Sequence, residues 1–366
     1  MHRLVIYINI LIIIIFSISL PSNGHALSYD IKYSQSIDVL NFMDKLSEWE
    51  KTPASSIYKN YWCTHGFQKK SDEKYLSDYK KVRRKYYLNK SMYLFSENHH
   101  NQDIISSSFY DIDSPKKSIH DLKSKIKKED YILIKNSIHH FLSRIIKITK
   151  AQSHEDLTQF LNINLNQKDT KDYIKSICSF YKVDSESINI KIAMSWFLKE
   201  LTESAYFNLN TIVLPDFTYQ NNIFKDMTNS NSLKKADNMS ILLHEIVHLI
   251  SANASPEQKE HLSNIFYADF IGAKSLPPSQ KQYLLEEPMA VILGQMIYTK
   301  KTVPEYYEKC QNWYIHPWVN TVAILKEHNI ANYMHNNLSI DENLIKSFAK
   351  TSNLLTKMPT TIELLQ

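Results

Sequence analysis

Apolar positions change their period several times along the chain, and each period predicts a different element. Positions 4–20 form an almost uninterrupted apolar run behind a single positive charge, Arg3. The break Pro21-Ser22-Asn23 and the small residues of Gly24-His25-Ala26 follow it. That order is the order of a secretory signal peptide over residues 1–26, cleaved before Leu27. An uncleaved membrane anchor is the alternative, because the run approaches spanning length. From 27 to about 150 the pattern is helical, most clearly over 131–150, where Ile134, Ile138, Phe141, Ile145 and Ile148 recur at three and four residues. A boundary is expected near Ala151-Gln152-Ser153, where that helix ends.

Beyond it the patterns mix. A helix is predicted over 172–181, while Ile188-Asn189-Ile190-Lys191-Ile192 alternates apolar and polar as a half-buried strand does. Residues 205–215 read as two short β-rich runs around an Asn-containing turn, closed by Pro215. The stretch 241–250 is apolar nearly all round, as in a helix buried in mid-domain. A second apolar helix opens at Glu286-Glu287-Pro288 and runs to about 298, with Pro288 in a first turn where its missing N–H costs nothing. Helices return over 318–336 and 341–357, with Pro317 near a start. The class expected is α+β, mainly α: a helical N-terminal region over 27–150, and a part with a small mixed sheet over 151–366.

Composition narrows the function. Of 366 residues only four are glycine, Gly24, Gly66, Gly272 and Gly294, too few for phosphate-cradling loops, nucleotide-binding turns or propeller blades. Without residues 1–26 the chain carries 42 Lys+Arg against 38 Asp+Glu, and the signs alternate through 69–84 and 116–130. Such stretches are solvated helix faces, so no nucleic-acid partner is expected. Cys63, Cys178 and Cys310 lack paired ligand spacing; in an oxidising compartment one disulfide and one buried thiol are expected. His139 and His140 point about 100° apart on their helix and do not share a metal. The polar stretch 96–103, with His99 and His100, reads as a surface loop.

The candidate chemistry lies in the apolar helix at 241–250, which His244, Glu245 and His248 interrupt. Residues four apart on a helix stand above one another, about 5–6 Å apart at Cβ, so the two imidazoles can converge on one ion. Zinc accepts neutral imidazole at about 2.0–2.1 Å, and in catalytic sites takes three protein ligands, leaving a fourth position for water. Glu245 is turned about 100° from His244, away from the ion but within reach of that water, which suits a general base.

This helix, followed by Glu286-Glu287-Pro288-Met289-Ala290, resembles the gluzincins, zinc peptidases typified by thermolysin and anthrax lethal factor, over roughly residues 188–300. The metzincin continuation is absent, since Ser251 and Ala254 stand where Gly and His are required. The resemblance implies a zincin-like catalytic part holding one Zn2+ per chain. It implies Glu287 as third ligand, in a Glu-x-x-Ala pattern with Ala290 and 39 residues beyond His248. Glu286 and Asp269 remain open as alternatives, and any of the three is also an ordinary acid favoured at a helix N-terminus. The hairpin at 205–215 would hold an extended peptide or protein substrate along its edge strand. A donor for the developing oxyanion is needed too; Tyr314 and His316 are the candidates, with Tyr283 a third, although aromatic clusters also serve packing. The function expected is hydrolysis of peptide bonds by an exported enzyme, periplasmic or secreted. The rival readings are a zincin-fold binding protein without turnover, a zinc hydrolase of non-peptide amides, and a helical protein with a fortuitous motif.

Overall fold

Alternation along one strand decides the layering of the protein. Ile190, Ile192 and Met194 belong to one buried cluster and Ala193 to another, because successive side chains on a strand leave opposite faces. A computed structural model describes residues 27–50, 52–87, 103–110, 113–150, 155–198, 205–208, 211–215, 231–271, 278–310 and 312–356. The chain is mainly helical with one four-stranded sheet, the α+β class expected. The expected signal segment and the polar stretch 96–102 lie outside the described residues, and Asp103 closes an isolated bridge with Tyr87.

Strand β1 (Ser28–Tyr33) is followed by helices α1 (Gln35–Ser47), α2 (Pro53–Thr64), α3 (Asp72–Tyr86), α4 (Ile104–Tyr110), α5 (Pro115–Lys125), α6 (Lys128–Thr149), α7 (Glu155–Leu165) and α8 (Lys168–Phe180). The sheet is completed by β2 (Asn189–Ser195), β3 (Tyr206–Asn208) and β4 (Thr211–Pro215). Then come α9 (Asn231–Ala252), α10 (Pro256–Asp269), α11 (Pro278–Ala290), a π-helical segment (Val291–Met296), α12 (Ile297–Thr302), α13 (Pro304–Lys309), α14 (Pro317–His335) and α15 (Glu342–Leu355). Proline opens α2, α5, α10, α13 and α14 at a position where its absent N–H has no helical partner anyway. Side chains close the starts of others: Ser34 accepts from the Ile37 N–H and Asp341 from the Leu344 N–H.

The strand order is β1-β2-β4-β3, parallel except for the β3–β4 hairpin. Ile192, Met194, Ile212 and Leu214 face the cluster that contains α9 and the C-terminal helices. Ala193 and Val213 face the cluster built by α1 to α6. Helices therefore cover both faces, as a largely parallel sheet requires. Asp38 on α1 joins the layers: its carboxylate accepts from the Ser195 hydroxyl at 2.8 Å and the Trp196 N–H at 2.7 Å.

Three expectations are corrected. Residues 28–33 form a strand within a region read as wholly helical; the segment is short and partly charged, and it becomes a strand by pairing with β2. Glu287 and Pro288 do not open a helix but lie in the last turn of α11, which begins at Pro278. All three cysteines are free thiols, on α2, on α8 and just past α13, so the expected disulfide is not formed. Among the described residues no helix is long and apolar enough to cross a membrane.

Candidate metal centre

His244, Glu245 and His248 sit in the middle of α9, whose Leu242, Leu243, Ile246, Val247 and Ile250 are buried in the core. The helix is packed on several sides, and the two imidazole ring centroids stand 4.8 Å apart. Glu287 reaches them from α11. The separations are 3.1 Å between the two Nε2 atoms, 3.2 Å from His244 Nε2 to Glu287 Oε2, and 3.4 Å from His248 Nε2 to Glu287 Oε1. Donors bound tetrahedrally to zinc at about 2.0–2.1 Å stand about 3.3–3.4 Å from one another. The donor set fits that ion in chemistry and in spacing.

Charge agrees with geometry. Burial disfavours a charged Glu287, yet the His248 and His244 rings beside it outweigh burial and hold the carboxyl well below its usual range. Burial likewise disfavours a charged His248, but Glu287, with smaller contributions from Glu245 and Glu286, raises its pKa to about 9. Three carboxylates around two imidazoles favour a positive charge between them.

The other expected residues separate. Glu245 is buried beside the two histidines on α9 and outside the three-donor group. Glu286 is as buried as Glu287 but also stands outside that group. Asp269, the last residue of α10, is exposed, with its backbone carbonyl taken by Asn353. Tyr314 is drawn into the site: its ring stacks on His244 at 5.9 Å and 17°, and it also lies against Tyr283, ring centroids 6.4 Å apart. Burial and the Glu287 charge push the Tyr314 pKa up, so the phenol stays a donor. His316 lies one ring further out, edge-on to Tyr283 at 5.7 Å, and burial lowers its pKa. The His244 Nδ1 has no hydrogen-bond partner among the described residues. Stacking by Tyr314 therefore fixes the imidazole plane that a hydrogen bond fixes in most metal sites.

Two further residues went unread in the sequence. Gly294, in the π-helical segment, packs against the backbone of His244 itself, and the Tyr173 hydroxyl donates to the Leu293 carbonyl in that same segment. A glycine inside an apolar helix was the available signal, since it weakens a helix unless something must come close. No protein-family model, curated protein or solved structure matches the chain.

Proposed function

We propose that this protein is an exported, single-zinc peptidase of gluzincin type, acting on an extended peptide or protein substrate. The observation that carries the reading is the convergence of His244 Nε2, His248 Nε2 and the Glu287 carboxylate: the two Nε2 atoms are 3.1 Å apart, and each has one Glu287 oxygen at 3.2 or 3.4 Å. Zinc held there supplies a positive charge that acidifies water and polarises a carbonyl.

The chain's own residues do the rest. Glu245 takes the proton of the attacking water and returns it to the departing amine, as a buried carboxylate beside the reacting atoms can. Tyr314, kept protonated, donates to the carbonyl oxygen as charge builds on it. A peptide rather than another amide is favoured by β3, which has only β4 as sheet neighbour among the described residues. An unpaired strand edge offers main-chain hydrogen bonds to an extended chain.

Glu245→Gln tests the reading. The amide cannot accept the proton, so the variant should bind zinc as the wild type does and lose roughly 10²–10⁴-fold in kcat on any peptide the wild type cleaves. Equal turnover by the two proteins would remove Glu245 as base.

A further inference from the structure

We infer that Gly294 and the π-helical turn around it position the metal ligands, setting the separation between α9 and the helix that carries Glu287. The inference rests on the reading of His244, His248 and Glu287 as a metal centre.

A Cβ on Gly294 would lie 2.4 Å from both the Cα and the N of His244 and 2.8 Å from the carbonyl carbon of Leu243. These are backbone atoms, so no rotamer change relieves the clash. Ordinary contact begins near 3.4 Å, and reaching it requires the two helices to part by about 1 Å, whereas metal–ligand distances tolerate only about 0.2 Å. One side of this contact is a ligand residue. The other lies seven residues after Glu287 on the same unbroken stretch from Pro278 to Thr302. A side chain at 294 therefore acts directly on the distance between His244 and Glu287.

The π-helical segment is a second, independent observation. Val291–Met296 carries a widened turn, with the Ile297 N–H bonded to the Ile292 carbonyl, and such turns concentrate at functional sites. Three residues before it, Pro288 lacks the N–H that would bond the Leu284 carbonyl. Widening shifts the register of the helix and brings the glycine against His244 while Glu287 faces the imidazoles. The turn is held from outside by Tyr173 on α8, whose hydroxyl bonds the Leu293 carbonyl from 120 residues away. Tyr173 and Gly294 are thus positioning residues acting through the ligands, not members of the donor set.

The full-length protein tests this with two variants, Gly294→Ala and Tyr173→Phe, read by zinc competition against a chelator and by the visible absorption of bound Co2+. Gly294→Ala should weaken zinc by about tenfold or more and change the cobalt band positions and intensities. Tyr173→Phe keeps the ring and should produce a smaller change of the same kind. A role confined to packing would lower the melting temperature and leave affinity and spectrum of the folded protein as in the wild type; that result overturns the inference. If Gly294→Ala does not fold, Tyr173→Phe decides by the same two readouts. A wild type that binds neither zinc nor cobalt overturns the metal-centre reading, and this inference with it.

Discussion

Glu287 stands between opposing forces: burial opposes its charge, and two imidazoles sustain it. Replacing it with Ala removes one of three donors and should weaken zinc by more than about tenfold, while Glu286→Ala and Asp269→Ala should keep the ion. Titration against a competing chelator measures all three, and tight zinc in Glu287→Ala would move the third ligand elsewhere. Tyr314→Phe is the complementary case: zinc content should stay at the wild-type level while kcat falls by about 10²–10³-fold, and an unchanged kcat would return Tyr314 to packing. The two histidines and Glu245 were legible because their relation is local, a four-residue spacing on one helix. Glu287 was legible only through resemblance, since nothing local relates it to residue 244. Tyr314 was one of 23 tyrosines, and what distinguishes it, a stack on His244, exists only after folding.

Elements were legible where their period was long and clean. The helix predicted over 131–150 is α6 (Lys128–Thr149), and the hairpin predicted over 205–215 is β3 and β4. β1 escaped although Tyr29, Ile31 and Tyr33 alternate with Ser28, Asp30 and Lys32, because the run is only six residues long and partners from another part of the chain complete it. The start of α11 was misplaced because propensity rules see Pro288 and not the turns before it. The join between α1 and β2 was also invisible, and it carries its own prediction. Asp38→Ala leaves the Ser195 hydroxyl and Trp196 N–H without their buried acceptor, at a cost of about 1–3 kcal/mol for each such group. Urea unfolding should show a lower midpoint, and an unchanged midpoint would mean that water replaces the carboxylate.

At the scale of the molecule, the layer formed by α1 to α6 depends on buried ion pairs as well as apolar packing. Asp72 accepts from both Arg144 terminal nitrogens at 2.9 Å, from Trp62 Nε1 at 3.0 Å and from the Lys69 N–H at 3.0 Å. Burial raises its pKa, but Arg144, Trp62 and Lys69 outweigh burial and bring it to about 2. A carboxyl lowered on folding contributes stability in full above its unfolded value of about 3.9, and that contribution is lost as pH falls towards about 2. Melting temperature should therefore drop between pH 4 and 2, and less steeply in Asp72→Asn; parallel curves for the two proteins would exclude Asp72 as a source of the slope. The pairing of β1 with β2 has a consequence in time. Ser28 and Asn189 face each other across 161 positions, and topologies built on such distant contacts form slowly. β1, the first strand among the described residues, waits for about half of the chain before it has a neighbour, and Glu287 arrives later still. A chain whose synthesis has not yet passed Glu287 therefore has no assembled donor set, and the destructive chemistry proposed for it is withheld until then.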